Sequence, residues 1–174
     1  MTSRSVSDGS SPDPDGSARK RSSATPVLLR GISKHYGSTA AVSSLDLEVQ
    51  RAEVLALLGP NGAGKTTTVE MCEGFIRPDA GTIEILGLDP VADNARLRER
   101  IGVMLQGGGG YPAARAGELL SLVASYAANP LDPAWLMDTL GLPESARTTY
   151  RRLSGGQQQR LAQACAVVGR PELV

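Results

Sequence analysis

A glycine-rich segment with a single lysine gives this sequence its clearest chemistry. Residues 59–67 are Gly-Pro-Asn-Gly-Ala-Gly-Lys-Thr-Thr, which matches the pattern G-x-x-x-x-G-K-[ST]. In such a loop the backbone N–H groups surround a triphosphate, a lysine (here Lys65) reaches the β- and γ-phosphates, and a hydroxyl (here Thr66) ligates Mg²⁺. We therefore predict a site for a nucleoside triphosphate and Mg²⁺. The predicted contact residues of this loop are Gly59, Pro60, Asn61, Gly62, Ala63, Gly64, Lys65, Thr66 and Thr67.

The elements around this loop have to hold it between a strand and a helix. The apolar run 53–58 precedes it and predicts a short buried strand, and a helix is predicted from residue 66 to about 75. The N-terminus of that helix would add a partial positive charge facing the phosphates. Hydrophobic periodicity predicts further strands at 27–30, 40–49, 82–86 and 101–106, and helices at 93–100, 117–126, 133–140 and 155–169.

Composition limits the classes of partner. The 174 residues carry 18 basic and 18 acidic side chains, and this balance gives no reason to expect nucleic acid as a partner. No stretch approaches the roughly 18 apolar residues of a membrane-spanning helix. Residues 1–25 are rich in serine, proline and aspartate and are predicted to be a disordered tail, followed by one domain at 26–174. Cys72 and Cys165 fit best as buried apolar residues, with a disulfide between them as the alternative.

A second motif lies near the end of the chain. Residues 153–157 are Leu-Ser-Gly-Gly-Gln at the start of a predicted helix, with Ser154 placed to cap it. Together with the phosphate-binding loop, in this order and spacing, the pentapeptide makes the chain resemble the ATP-binding subunit of ABC transporters from about Val27 to its last residue. Residues 87–90 and 101–106 are most similar to the ATPases of bacterial drug and antibiotic exporters. The resemblance implies an α/β fold: a RecA-like P-loop NTPase core, an antiparallel β subdomain and a helical subdomain with the signature.

The resemblance also implies roles for residues outside the loop. Tyr36 would stack on adenine, and Gln106 would contact Mg²⁺ and the attacking water, which makes Thr66 and Gln106 the expected metal ligands. The signature surface would close on the ATP that a second subunit holds. The residues implied in that contact are Leu153, Ser154, Gly155, Gly156 and Gln157. ATP and Mg²⁺ are thus the implied ligands.

Two protein partners follow from the same resemblance. One is a second ATP-binding subunit, expected to be another copy of this chain. The other is a separate membrane-spanning subunit, which places the assembled protein in the cytoplasm at the inner face of the cell membrane. Transport, with export as the expected direction, is the implied function.

Several catalytic parts of the family are not found in the sequence. The Asp of the Walker B strand, the Glu that polarises the attacking water and the switch histidine would follow the signature, and we expect a C-terminally incomplete domain with little ATP hydrolysis. No catalytic residue is assigned, since His35 lies far upstream of the switch position. Runs 53–58 and 101–106 are expected to have unpaired edges. The family commonly has glycine where this chain has Ala52, which puts a tight turn in doubt.

Two other functions remain open at this point. The chain could be a nucleotide-binding module that does not hydrolyse ATP, regulatory or vestigial. It could also be a soluble ABC protein that acts on ribosomes or DNA, although the chain has neither a basic excess nor a second cassette. Asp46, Asp79, Asp89, Asp132 and Asp138 could in principle replace the absent carboxylates, but we expect each to be solvated or to cap a local turn or helix.

Overall fold

A three-stranded antiparallel sheet holds the N-terminal half of the described chain together. The computed structural model describes residues 25–105 and 109–174. Its sheet has the order β2-β1-β3, with β1 at Val27–Tyr36, β2 at Thr39–Val49 and β3 at Ala80–Ile85. The central strand β1 pairs with β2 from Val27↔Val49 to Tyr36↔Thr39, and with β3 from Val27↔Ile85 to Ser33↔Ala80. The predicted strands 27–30, 40–49 and 82–86 are therefore confirmed, although β1 continues six residues further, to Tyr36.

Five α-helices follow the predicted order. They are α1 (Lys65–Cys72), α2 (Asn94–Arg98), α3 (Ala116–Ala124), α4 (Pro133–Thr139) and α5 (Gly155–Val167). Two short 3₁₀ helices, Pro143–Ser145 and Tyr150–Arg152, lie between α4 and α5. None of the helices within the described residues is long and apolar enough to cross a bilayer.

The buried apolar side chains form two separate clusters. The sheet cluster contains residues of β1, β2, β3, α1 and α2, among them the fully buried Leu29, Ile32 and Met71. The helical cluster is built from α3, α4, α5 and the 3₁₀ segments around Leu120 and Leu161. Each cluster buries its own apolar surface, so the described chain consists of a sheet part and a helical part, each with its own core.

Two predicted strands are wrong. Residues 53–58 run without strand pairing, and Val54 and Leu58 are 96% and 89% exposed. Of the predicted strand 101–106, the described residues 101–105 contain only one bridge, the parallel pair Ile101↔Leu173, and Gln106 lies outside the described residues. A strand needs a neighbour for its N–H and C=O groups, and within residues 25–105 and 109–174 no strand lies along 53–58. The apolar side chains of residues 53–58 are thus exposed, as expected for a run without a neighbouring strand.

The turn before this segment is strained, as its alanine suggested. Ala52 adopts φ of 62°, the left-handed region in which a Cβ costs about 1–2 kcal/mol. The turn closes with a hydrogen bond from Glu53 N–H to Gln50 O (3.2 Å) and another from Gln50 N–H to the Glu53 carboxylate (2.7 Å). Glycine at position 52 would adopt the same turn without that strain.

The structure decides between the two predictions for the cysteines, whereas the predicted tail lies almost entirely outside the described residues. Cys72 and Cys165 are both free thiols, so the disulfide alternative is wrong. Burial raises the pKa of Cys72 to about 12 and that of Cys165 to about 11, which keeps both thiols protonated at neutral pH. The predicted disordered tail lies outside the described residues except for Thr25, whose hydroxyl donates to Glu48 Oε1 (3.1 Å).

An ion pair and a parallel bridge connect the end of α2 to the end of the chain. Arg100 Nε and Nη2 donate to the two carboxylate oxygens of Glu172 at 2.6 and 3.0 Å. Beside this bidentate pair, Glu172 N–H donates to Arg100 O (2.7 Å) and Gly102 N–H donates to Leu173 O (2.8 Å). A Cβ on Gly102 would collide with the carbonyl oxygen of Ala166 in α5, so the backbone passes directly under that helix. The contacts of residues 100–102 therefore tie the helical part to the sheet part.

The ion pair should make a small, pH-dependent contribution to stability. Replacing Glu172 with Gln should lower the free energy of unfolding by no more than about 1 kcal/mol, because both side chains are about one-third or more exposed. The hydrogen bonds from Arg100 lower the pKa of Glu172, so this contribution is present above pH 4.5 and is lost as the pH falls through the lowered pKa.

Urea denaturation of the wild-type and Glu172→Gln chains at neutral pH and below pH 4 would measure this difference. Glu99→Gln, a change at an exposed neighbouring carboxylate, is the matched control. A wild-type advantage that grows on acidification would contradict the assigned role of the pair.

Candidate nucleotide-binding site

The glycine loop is held against the sheet by a close backbone approach. Gly64 is the N-cap of α1 with φ of 77°, and Gly62 has φ of 84°. A Cβ at Gly64 would collide with the carbonyl oxygen of Ala41 and would lie 2.9 Å from Val42 Cγ2, both in β2. Only glycine meets both requirements, a left-handed conformation and direct contact with a neighbouring main chain. The loop is thereby fixed to the strand that pairs with the end of β1.

Hydrogen bonds and buried side chains fix the first turns of α1. Thr68 is buried, and both its N–H and its hydroxyl donate to Gly64 O, at 2.8 and 2.9 Å. One turn later, Met71 is fully buried in the sheet cluster. Thr66, in contrast, is exposed, so its hydroxyl is accessible from solvent. The helix thus buries one face and presents its N-terminal end with Thr66 to the glycine loop.

The lysine of the loop points back over the loop itself. Lys65 Nζ donates to Gly59 O (2.8 Å) and to Pro60 O (2.7 Å). An ammonium bound by two neutral carbonyls would bind more strongly to phosphate oxygens, because the phosphate is anionic and adds the attraction between two opposite charges to the hydrogen bond. The cradle at Gly64, the helix N-terminus and this ammonium together fit a triphosphate.

The described residues offer few side chains that could ligate Mg²⁺. Within residues 25–105 and 109–174 no three His, Cys, Asp or Glu side chains are grouped so as to hold a metal ion. Thr66 is the described candidate ligand, and Gln106, the other candidate, lies outside the described residues. A single hydroxyl fits Mg²⁺ that arrives with the nucleotide and keeps phosphate oxygens and waters as its other ligands.

Tyr36 lies at the end of β1, close to the loop. It pairs with Thr39 across the hairpin turn, and the next residues of β2, Ala40 and Ala41, lead to the contact with Gly64. Its side chain is about half exposed, so part of the ring is accessible to a ligand. The structure therefore brings the predicted adenine-stacking residue and the predicted phosphate loop to neighbouring positions of the sheet part.

The signature segment belongs to the helical part. Ser154 caps α5 as predicted: its Oγ accepts from Gln157 N–H (3.3 Å), and its own N–H donates to Gln157 Oε1 (2.8 Å). Gln157 Nε2 donates a further hydrogen bond to Ser145 Oγ (3.0 Å), and Leu153 is buried in the helical cluster. Gly155 and Gly156 are exposed, and a Cβ on either would meet nothing within 4 Å. The signature thus presents an open, rigid helix N-terminus, on a different core from the phosphate loop.

The other carboxylates considered from the sequence have local partners. Asp132 caps α4 by accepting from Ala134 N–H (2.9 Å), and Asp89 accepts from the N–H groups of Val91 (2.8 Å) and Ala92 (2.9 Å). These bonds lower the pKa of Asp89. Asp46 accepts from Gly31 N–H (2.9 Å). Asp138 is exposed on α4. Asp132 and Asp89 are thus a helix cap and a turn acceptor, Asp138 faces solvent, and Asp46 links β2 to β1.

Sequence reasoning considered Asp79 only as a solvated or capping carboxylate and missed its position beside the site. Asp79 accepts from Lys34 Nζ (2.8 Å) and from His35 N–H (2.7 Å), next to Tyr36. His35 itself is exposed, with Nδ1 3.7 Å from the same carboxylate. Asp79 and His35 are 44 positions apart in the sequence, and the β1–β3 register brings them together. A Lys–x–Tyr strand end and an Asp before a later strand were the available signals.

Comparison with known proteins identifies the family. The family model described as ABC transporter matches residues 42–174. The daunorubicin resistance ATP-binding protein DrrA3 of Streptomyces coeruleorubidus is 38% identical over 157 residues, covering 86% of this chain and 49% of the relative. The Nod factor export ATP-binding protein I of Burkholderia orbicola is 38% identical over 159 residues, covering 87% of this chain and 52% of the relative. The chain thus spans about half the length of these curated relatives.

Solved structures show the same fold. An ATP-binding subunit of an ABC transporter superposes with a TM-score of 0.75 at 24% identity, covering 86% of this chain and 69% of that one. A bacterial ABC transporter cassette solved as a dimer gives a TM-score of 0.72 at 23% identity, covering 83% and 70%. The phosphate loop at the head of α1, the capped signature helix and these matches lead to one conclusion: the chain belongs to the ABC transporter ATP-binding family.

Proposed function

We propose that this chain is the nucleotide-binding part of an ATP-binding subunit that powers export through a separate membrane-spanning subunit. The observation that carries the proposal is the contact of Gly64 with the backbone of β2, which sets the phosphate loop beside the hairpin that ends in Tyr36. A triphosphate grip and an aromatic ring at neighbouring positions fit a nucleotide better than either inorganic phosphate or a nucleobase alone.

In the proposed binding step, the ammonium of Lys65 exchanges its hydrogen-bond partners. In the structure it bonds the carbonyls of Gly59 and Pro60. When a triphosphate enters, Lys65 leaves these carbonyls for the β- and γ-phosphates, while the N–H groups at the start of α1 bond the phosphate oxygens. Thr66 then supplies a hydroxyl to Mg²⁺ that the phosphates carry, and Tyr36 stacks on the adenine.

A second copy of the chain is the proposed partner for the signature. Ser154, Gly155 and Gly156 form an exposed helix N-terminus that fits an anion. They begin α5, which packs in the helical cluster, whereas the phosphate loop leads into α1, which packs in the sheet cluster. In a pair of chains, this surface would close on the γ-phosphate held by the other copy. The dimeric cassette among the similar structures supports this arrangement.

Export and a membrane location are supported by the relatives. One relative is named for daunorubicin resistance and another for Nod factor export. We infer that the chain lies at the inner face of the cell membrane, where it docks on a membrane-spanning subunit and is supplied with cytoplasmic ATP. The domain proposed for this role is 26–174, which includes the matched residues 42–174.

We further infer that the 174-residue chain binds ATP and does not turn it over. Asp79 accepts two hydrogen bonds from the end of β1, Asp89 accepts two from the N–H groups that follow it, and Glu172 pairs with Arg100. These three carboxylates are thus engaged away from the loop, whereas phosphoryl transfer needs a carboxylate there as general base or metal ligand. The alternative function, a nucleotide-binding module without hydrolysis, also implies ATP binding without turnover. The transporter part and the module therefore have the same expected behaviour for this chain.

Replacing Lys65 with Ala should weaken ATP binding by about tenfold to a hundredfold, because a charge-assisted bond to the phosphates is lost. Isothermal titration calorimetry with MgATP would measure the change. Arg147→Ala, at an exposed site in the helical part, is the control. Unchanged ATP affinity in the Lys65 variant would contradict the phosphate-loop assignment.

Replacing Tyr36 with Ala should weaken ATP by about threefold to tenfold and leave inorganic tripolyphosphate unaffected, because only ATP has a base to stack. Tyr36→Phe keeps the ring and should bind ATP as the wild type does. Competition of both ligands against a fluorescent ATP analogue would give the two affinities. Equal losses for both ligands would remove the stacking role.

The purified chain should release no phosphate above the rate of the Lys65→Ala variant, measured with MgATP in a coupled phosphate assay. Retained ATP binding in the same sample shows that the chain is folded. Magnesium-dependent phosphate release that Lys65→Ala abolishes would show that the chain has a catalytic carboxylate of its own.

A further inference from the structure

The turn before β3 holds the end of β1 through one carboxylate. Asp79 Oδ1 accepts from Lys34 Nζ (2.8 Å), and Oδ2 accepts from the backbone N–H of His35 (2.7 Å). The backbone N–H of Asp79 donates in turn to Ser33 O (2.8 Å). Three consecutive residues of β1 are thus bonded to Asp79, and the next residue in the strand is Tyr36.

The ammonium of Lys34 is fixed beneath the tyrosine ring. Besides Asp79, Lys34 Nζ donates to Arg77 O (2.9 Å), and the Lys34 side chain is only 16% exposed. Its Nζ lies 6.0 Å from the centre of the Tyr36 ring, at the outer limit of a cation–π contact. The β1–β2 ladder is irregular between Lys34 and His35, and the two measured contacts of Lys34 Nζ, with Asp79 on one side and the Tyr36 ring on the other, place Asp79, Lys34 and Tyr36 in one continuous row.

The row is electrostatically consistent. The hydrogen bond from Lys34, followed by the one from the His35 N–H, lowers the pKa of Asp79, which is therefore ionised at neutral pH. A negative carboxylate next to a positive ammonium, and the ammonium next to the negative face of an aromatic ring, are both attractive pairs.

The β1–β3 sheet does not need Asp79 to form. Five backbone pairs run from Val27↔Ile85 to Ser33↔Ala80, and Ile83 and Ile85 bury the inward face of β3. The carboxylate of Asp79 lies beyond these pairs and is 44% exposed. Its bonds act on residues 34 and 35, that is, on the part of β1 that leads to the ring.

We propose that Asp79 is a positioning residue for the nucleobase: by holding Lys34 and the His35 backbone it fixes the Tyr36 ring, and so it sets the preference of the site for an adenine nucleotide over a bare triphosphate. The inference rests on the proposed function, because it requires that Tyr36 stacks on the base. Asp79 itself touches neither base nor phosphate in this scheme.

The test compares two ligands on variants of the full 174-residue chain. Affinities for MgATP and for inorganic tripolyphosphate are measured by calorimetry for the wild type and for Asp79→Ala, Asp79→Asn and Glu84→Ala. Glu84 is an exposed carboxylate within β3 and serves as the matched control. The ratio of the two affinities is the readout, and Glu84→Ala, which removes the same unit of negative charge, shows how far a change of charge alone shifts that ratio.

Asp79→Ala should reduce the ratio by about threefold to tenfold, approaching the ratio of Tyr36→Ala. Asp79→Asn retains an acceptor oxygen but loses the charge, so it should give an intermediate ratio; it also carries the test if Asp79→Ala does not fold. Glu84→Ala should keep the wild-type ratio. In the Tyr36→Ala background, Asp79→Ala should have no further effect on the ratio, since the residue acts through the ring.

The outcomes separate this inference from the proposed function. A wild-type chain without preference for ATP, or a preference that Tyr36→Ala retains, overturns the stacking role and the inference with it. A preference that Tyr36→Ala removes but Asp79→Ala and Asp79→Asn retain overturns the inference alone. An Asp79→Ala effect that persists in the Tyr36→Ala background shows a merely structural role and likewise overturns the inference.

Discussion

The pairing of β1 along both of its edges is the constraint on which the nucleotide site depends. On one edge β2 brings the backbone of Ala41 against Gly64 and so seats the phosphate loop. On the other edge β3 begins beside Ser33, which places Asp79 under Lys34 and His35. Tyr36 ends the same strand. The groups proposed for base and phosphate are therefore placed relative to each other by a single backbone ladder.

Local chemistry explains what could be predicted from the sequence. The cap at Ser154 and the helix after Gly64 depend on residues within one helical turn, and both form as predicted. The run 53–58 depends on a neighbour that is remote in sequence, and without one among the described residues it forms no strand, although its composition is strand-like. The position of Asp79 beside the site was missed for the same reason, because its partners are set by strand register and by no local pattern. Family membership was predictable because its two motifs are local.

The division into two cores affects how the phosphate loop and the signature can move relative to each other. The phosphate loop is built on the sheet cluster and the signature on the helical cluster, and the link around Arg100, Gly102 and Glu172 joins them. A groove of about 770 Å³ lies along this link, between Phe75 on one side and Tyr126 on the other. A few polar contacts across a groove leave the two parts more freedom to move relative to each other than a shared core would.

The obstacle above Gly64 is a main-chain carbonyl, and this limits how the loop can vary. At a position crowded by side chains, a larger residue can be accommodated when a neighbour becomes smaller. Shortening Val42 would remove only the Cγ2 contact, and every residue at position 41 carries the same carbonyl oxygen. Compensating substitutions in β2 therefore have no route to rescue an alanine at position 64, because no side-chain change there removes the carbonyl oxygen.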